Sequence, residues 1–288
     1  MINWPESLVA VIARRRVVVM IGSGVSRNST NERGDRPPTW EGFLRSCSDN
    51  LGAPRSLVEL IDSKDYLTAC ELIKRRMGAA RFVQRVQADY QLAAYRPADI
   101  HKWLYELDAS IVASPNFDNI YETYASTVSA GSVVVKDHTS GDLASYLHGG
   151  NTRLILKTHG SANNPESVIF TRFDYAEART KYTLFYAILR SLALTHTFLF
   201  VGCGVDDPDI RMLFEDIRFA HGRLPEHYMT VATGTVSPEV IAVISEMMRV
   251  SFLEYSSDNS HAELTESLGA LVERVEDFRG QLRHNGKW

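Results

Sequence analysis

The 288-residue chain has few cysteines, no excess of basic charge and no long hydrophobic run, and each shortage excludes a class of function. Its three cysteines, Cys47, Cys70 and Cys203, are odd in number and far apart, which suits a reducing compartment and rules out a four-cysteine zinc site. No resident metal is expected. The formal net charge of −4 gives no general pull toward nucleic acid or anionic lipid, although Arg14-Arg15-Arg16 form a local basic cluster. No apolar stretch approaches the roughly 20 residues of a membrane-spanning helix, and the N-terminal apolar segment carries its basic cluster after it rather than before. These shortages read together as a soluble, unexported, cytoplasmic protein with neither membrane nor direct nucleic-acid partners. At 44% hydrophobic and 23% charged, the chain can bury a sizeable core.

What is present centres on Val17-Val18-Val19-Met20-Ile21, a β-branched apolar run that breaks into Gly22-Ser23-Gly24-Val25-Ser26. Such a run reads as a buried parallel strand, and the glycines as the turn leaving its carboxyl end. There, Gly22 and Gly24 allow close approach of a ligand, and consecutive N–H groups can cradle a phosphate. The same turn can equally hold no ligand. No Lys-Ser/Thr follows the glycines, which excludes a P-loop. Arg27 stands where a hydride-transfer fingerprint wants its third glycine, and no acid ends a second strand about 20 residues on.

The pattern then repeats. Ser110–Ser114 ends in Pro115-Asn116-Phe117-Asp118-Asn119, Arg153–Lys157 in Thr158-His159-Gly160-Ser161, and Thr197–Val201 in Gly202-Cys203-Gly204. Tyr228–Ala232 and Val250–Tyr255 are further strand candidates, and Ala262–Phe278 reads as a closing helix. Helical stretches alternate with these runs: one starts near Pro5, one is capped by Thr39, and another spans Tyr182–Leu194. Leu57, Leu60, Ile61, Leu67, Leu72, Ile73, Phe82, Val86 and Tyr90 keep helical period and predict a small helical module between two strands, an insertion at about 52–100. Arg27–Pro38 is a polar loop long enough to serve as a lid. Alternating strands and helices predict an α/β fold, a doubly wound, Rossmann-like parallel sheet whose carboxyl edge gathers four turns into one crevice.

Those turns, in that order, resemble the sirtuin (silent information regulator) superfamily. Its Gly-Ala-Gly-x-Ser, Thr-Gln-Asn-x-Asp, His-Gly and late Gly-x-Ser/Gly motifs stand here as Gly-Ser-Gly-Val-Ser at 22–26, Ser-Pro-Asn-Phe-Asp at 114–118, His-Gly at 159–160 and Gly-Cys-Gly-Val-Asp-Asp-Pro at 202–208. Pro97, His101 and Leu104, then Phe170-Thr171 and Asp174-Tyr175, are secondary matches. The resemblance covers roughly residues 10–270 and implies one such domain over 1–288. Deacetylating members carry a four-cysteine module and a Gly-Ile-Pro-Asp-Phe-Arg segment; this chain has neither, with Gly34–Trp40 replacing the latter. It looks closer to the branch found in bacterial anti-phage defence systems, whose members hydrolyse NAD.

The resemblance implies NAD as substrate, with Asn116 orienting ribose hydroxyls or the attacking water and His159 acting as general base. Phe117 and Asp118 would hold the nicotinamide carboxamide. Gly22, Ser23, Gly24 and Ser26 would take the pyrophosphate, and Gly202, Cys203 and Gly204 the adenosine ribose. Asp207 competes with Asp206 for a hydroxyl contact there. It also implies a homo-oligomer, or pairing with a hexameric HerA-like ATPase, an Argonaute-like protein or another sensor, with the trigger supplied by a partner chain or by the rest of a longer protein. Each residue has a structural alternative. Asn116 can be a turn former, Asp118 a cap for a helix at Ile120–Tyr124, and His101 a helix-start or core residue. Cys203 reads as a small buried filler, and Asp206-Asp207-Pro208 as a helix start before Ile210. The competing function is a catalytically silent module that binds NAD or ADP-ribose within a larger complex.

Overall fold

The computed structural model describes residues 1–147, 152–204 and 225–286. Its centre is a seven-stranded, wholly parallel sheet in the order β3-β4-β2-β1-β5-β6-β7. The strands are β1 (Val17–Ile21), β2 (Ile111–Ser114), β3 (Val134–Asp137), β4 (Leu154–Lys157), β5 (Thr197–Val201), β6 (His227–Ala232) and β7 (Val250–Tyr255). Every residue of β1, β2, β4, β5 and β6 is buried, as expected of strands covered on both faces.

Side chains alternate between the two faces. Val17, Val19 and Ile21 of β1 pack with Leu199 and Val201 against α1 (Glu6–Ala13), α7 (Asp99–Glu106) and α12 (Asp258–His284). Val18 and Met20 pack with Phe198 and Phe200 against α10 (Thr183–Thr195) and α11 (Pro238–Met248) on the other face. The two-residue period of a strand thus builds two cores from one run.

Helices α3 (Trp40–Asn50), α4 (Arg55–Asp62), α5 (Tyr66–Met77) and α6 (Ala79–Tyr90) lie between β1 and β2 in the chain. Thr39 caps α3 by accepting the Gly42 amide at 3.1 Å, and Asp65 caps α5. Their apolar faces form a third core around Phe43, Leu57, Ile73 and Phe82, which also takes in Val168 and Phe170 from the segment after β4. Lys74 of α5 pairs with Asp174 in the first turn of α9 (Arg172–Lys181), tying this helical layer to the carboxyl edge of the sheet. Cys47 and Cys70 are buried in that core, and burial pushes the Cys47 thiol up to about 11, where it is inert.

The edge strand β3 was not expected: only the Val133–Val135 run marks it, it is four residues long, and its side chains are partly exposed. The basic cluster at 14–16 is partly structural, since Arg15, Arg153 and Arg279 converge on Asp108 below the amino ends of the strands. Among the described residues no helix is long and apolar enough to cross a membrane, and no cluster of His, Cys, Asp and Glu has a metal-binding arrangement.

Candidate active site

Register brings the strand ends to one level. Ile21 pairs with Val201 and Ser114 with Lys157, so the turns after β1, β2, β4 and β5 open on the same edge. Chain order reverses beside β1, between β2 and β5, and a doubly wound sheet opens its crevice at such a point. A cavity of about 770 Å³ lies there. Gly22, Ser23, Ser26, Asn116, Phe117, Asp118, His159, Cys203 and Gly204 line it. Gly24 and Gly202 sit behind this wall, whereas Asp206 and Asp207 lie outside the described residues.

The glycines have a reason that does not involve a ligand. A Cβ on Gly22 would lie 2.3 Å from the Gly202 carbonyl oxygen, one on Gly24 2.9 Å from Gly202 Cα, and Gly202 itself has φ of +66°. Two turns therefore touch backbone to backbone, which only glycine permits. The Gly22 and Gly24 amides donate to Val201 O and Gly202 O, each at 2.9 Å. Two of the amides expected to cradle phosphate are thus spent within the protein, whereas Ser23 lies at the cavity wall.

The chemistry-bearing side chains form a directed relay. Asn116 Nδ2 donates to Ser26 Oγ at 3.0 Å, and Ser26 Oγ donates to Asp118 Oδ2 at 2.7 Å. A carboxylate only accepts, so the single Ser26 proton goes to Asp118 and the Ser26 oxygen must accept from Asn116. That fixes the Asn116 amide with its Oδ1 as the outward, acceptor end. Asp118, 4% exposed, also takes the Ile120 amide on Oδ1 at 3.1 Å at the start of α8 (Ile120–Val128). The helix-cap role and the relay role coexist in one side chain.

Behind the relay is a pair that the sequence did not reveal. Lys157, 1% exposed, donates from Nζ to the Asp118 carbonyl oxygen at 2.6 Å and forms an ion pair with Glu122. Burial raises the Glu122 carboxyl above its ordinary range, and the Lys157 charge opposes that rise. The only sequence hint was a lysine closing an otherwise apolar strand.

His159, 5% exposed, meets Tyr175 edge to face at 5.1 Å between ring centroids, with Tyr175 Oη 3.4 Å from Nδ1. Its carbonyl accepts the Ile169 amide, and Gly160 after it (φ +77°) packs on Ser167 O, so the turn is closed on both sides. His101 is a helix-start residue, buried, with Nδ1 at the Ala98 backbone, and burial lowers its pKa. Cys203 Sγ lies 3.5 Å from Met20 O and its side chain packs against the α10–α11 core, as a small filler would. The helical layer adds Trp40, Glu41, Lys64, Asp65, Tyr66 and Tyr90 to the wall, and the segment after β4 adds Ile169, Phe170, Arg172 and Tyr175.

Comparison with known proteins follows the same lines. Residues 110–253, half of the chain, match the family model described as SIR2-like domain. Defense-associated sirtuin 2 of Bacillus subtilis is 25% identical over 214 residues, covering 70% of this chain and 19% of that protein. The NAD(+) hydrolase ThsA of Enterococcus faecium is 27% identical over 186 residues, covering 63% of this chain and 37% of its own length, and that of Acinetobacter baumannii 25% over 180 residues. The match thus spans from about a fifth to rather more than a third of these relatives. The conclusion from the parallel sheet, the ordered turns and the family match is that this chain belongs to the SIR2-like domain family.

Proposed function

We propose that the chain is an NAD+ hydrolase that cuts the nicotinamide–ribose bond and acts as an NAD-depleting effector in anti-phage defence. The observation that carries this reading is the Asn116–Ser26–Asp118 relay, which holds an acceptor oxygen toward a cavity that His159 also lines. Relatives named NAD(+) hydrolase and defense-associated sirtuin support it.

In the bond to be cut, the leaving group is a pyridinium whose departure takes up the electron pair of the C1′–N bond. The carbon left behind is oxocarbenium-like, and little acid assistance is required. The protein's task is to position and to exclude water other than the attacking one. Asn116 Oδ1 accepts a hydrogen bond from a ribose hydroxyl or that water, and His159 takes the proton released as the new C–O bond forms. Asp118, whose carboxylate retains lone pairs beyond those given to Ser26 and Ile120, receives the carboxamide N–H beside Phe117. Ser23, with the Gly22–Gly24 turn and Ser26 beneath it, faces the pyrophosphate. Gly202, Cys203 and Gly204 face the adenosine ribose, with Asp207 as the hydroxyl contact. The products are nicotinamide and ADP-ribose.

A cytoplasmic enzyme that consumes NAD requires restraint, and we assign that to a homo-oligomer or to a sensor partner of the kinds named above. The test is nicotinamide release by the purified protein, alone and with its activating partner. Loss of release in His159→Ala and Asn116→Ala is the expected result. Release that persists in either variant overturns the assignment of that residue, and tight NAD binding without turnover under every condition replaces the hydrolase with a binding module.

A further inference from the structure

We propose that Tyr90, contributed by the helical layer, donates a hydrogen bond to the carboxamide oxygen of the bound nicotinamide and, with Asp118, reads that group as an amide. The proposal rests on the NAD reading above and adds a specificity residue to it.

Tyr90 is the last residue of α6, where helical period marks it as one more core position after Phe82 and Val86. Its ring behaves as one. It meets Phe117 edge to face at 5.6 Å between centroids and Phe43 at 5.6 Å, so two aromatic neighbours fix its plane. Its phenol oxygen does not behave as a core atom. Tyr90 lines the cavity with Asn116, Phe117 and Asp118, and its hydroxyl has no hydrogen-bond partner among the described residues. Tyr90 is half-buried on the cavity wall, so this hydroxyl is a donor open to a ligand rather than one spent within the protein.

The chemistry of the neighbours decides what the partner is. Asp118 and the outward Oδ1 of Asn116 are acceptors, and they satisfy donors on a substrate. A primary carboxamide has an N–H face and a C=O face. Asp118 can take only the first, so the second needs a donor. Burial and the nearby charges of Asp89 and Asp118 hold the Tyr90 phenol protonated, well above its ordinary range, so it remains a neutral donor. A neutral donor is the group that favours a carboxamide oxygen without adding charge beside a departing pyridinium.

The experiment is a cycle between side chain and substrate atom. NAD and its thionicotinamide analogue, whose C=S accepts hydrogen bonds weakly, are titrated by calorimetry into His159→Ala protein, to suppress turnover, and into the same protein carrying Tyr90→Phe. Phenylalanine keeps the contacts with Phe43 and Phe117 and removes only the hydroxyl. The expected result is a loss of about 3- to 10-fold in NAD affinity on Tyr90→Phe, and a loss of less than about twofold for the thio analogue. Equal losses for both ligands, or none for NAD, overturn the proposal. The His159→Ala protein with Tyr90 intact supplies a second readout independent of the folding of the Tyr90 variant: equal affinity for the two ligands also overturns it. Failure of both wild-type and His159→Ala protein to bind NAD refutes the NAD reading itself, whereas binding without the differential loss refutes only the role of Tyr90.

Discussion

Asp118→Asn is nearly isosteric, yet the hydrogen-bond geometry predicts that it turns the site around. Asp118 Oδ1 accepts the Ile120 amide at 3.1 Å, and a backbone N–H can only donate. In the variant the new side chain must therefore keep its oxygen at Ile120, which puts its NH2 group toward Ser26. Ser26 Oγ then accepts from position 118 and sends its own proton to Asn116, where it has accepted until now. Asn116 must answer with Oδ1, and its NH2 swings to face the cavity. An acceptor becomes a donor where the proposed mechanism needs one to accept from a ribose hydroxyl or the attacking water. The folding cost is small, because a charge-assisted bond becomes a neutral one, a loss of about 1 kcal/mol. The catalytic cost is larger. One transition-state hydrogen bond is lost and a donor is left facing the group it should accept from, about 3 kcal/mol, or on the order of 10²-fold in kcat. Ser26→Ala gives the reverse balance. It strips a donor from the buried Asp118 carboxylate, at about 1.5–3 kcal/mol of stability, but leaves Asn116 free to adopt either orientation, for roughly a fivefold to tenfold loss in rate. The assay is nicotinamide release beside a thermal melt for both variants. Asp118→Asn within threefold of wild type, or a rate loss in Ser26→Ala exceeding that in Asp118→Asn, refutes the directed relay.

The remaining predictions concern what holds the site up. Gly22→Ala places a Cβ 2.3 Å from Gly202 O and 2.6 Å from Cys203 Cα, backbone atoms that cannot rotate away, while the position's own φ of −92° suits alanine. Overpacking of this kind costs about 2–3 kcal/mol, read as a fall in melting temperature of roughly 5 °C or more, and an unchanged melt contradicts the turn-on-turn contact. His227 accepts the Phe198 amide on Nδ1 inside the sheet, and burial lowers its pKa from 6.5 to about 4. The unfolded chain then takes the proton first, so stability is complete above pH 6.5 and declines by about 3 kcal/mol as pH falls to 4. His227→Asn, which keeps an acceptor near that amide, flattens the decline in urea melts between pH 6.5 and 4. His101 and His196, whose pKa values burial also lowers, leave a residual slope. A variant slope equal to wild type removes His227 as its source.

Much of this was legible because the relevant signals are local. β1, β2, β4 and β5 are each a short apolar run closed by Gly, Asn or His, and a parallel strand buried on both faces has no other pattern to show. What escaped is non-local. Lys157 is an unremarkable strand end until Glu122, on a helix 35 positions earlier, and the Asp118 carbonyl are brought to it. Tyr90 keeps the helical period of a core residue, and nothing in that period tells its hydroxyl from its ring. The glycines were legible for only part of their reason. Close approach is required at Gly22 and Gly24, and one approaching group is the Gly202 backbone, which no local signal shows.

The position of Asn116, rather than its identity, is what the fold invests in. Ser114, the last residue of β2, donates from Oγ to Ile21 O at 3.1 Å and accepts the Asn116 amide at 3.2 Å, so the backbone of the asparagine is tied to the end of β1. Ser26 ties its side chain to the helix that follows the same strand, α2 (Ser23–Ser26). Lys157 anchors the turn from beneath at the Asp118 carbonyl, and the Phe117 carbonyl accepts the Ala162 amide from the turn after β4, the one that carries His159. Four attachments to three strands leave this short turn little freedom. Catalysis that depends on placing one acceptor oxygen against one carbon loses rate steeply with sub-ångström displacement, and loops hung from a single strand end do not hold that tolerance. An asparagine in a Pro-Asn-Phe-Asp turn is unexceptional in sequence; fastened at both its backbone and its amide, it becomes a fixed point, which is what its proposed role against the ribose requires.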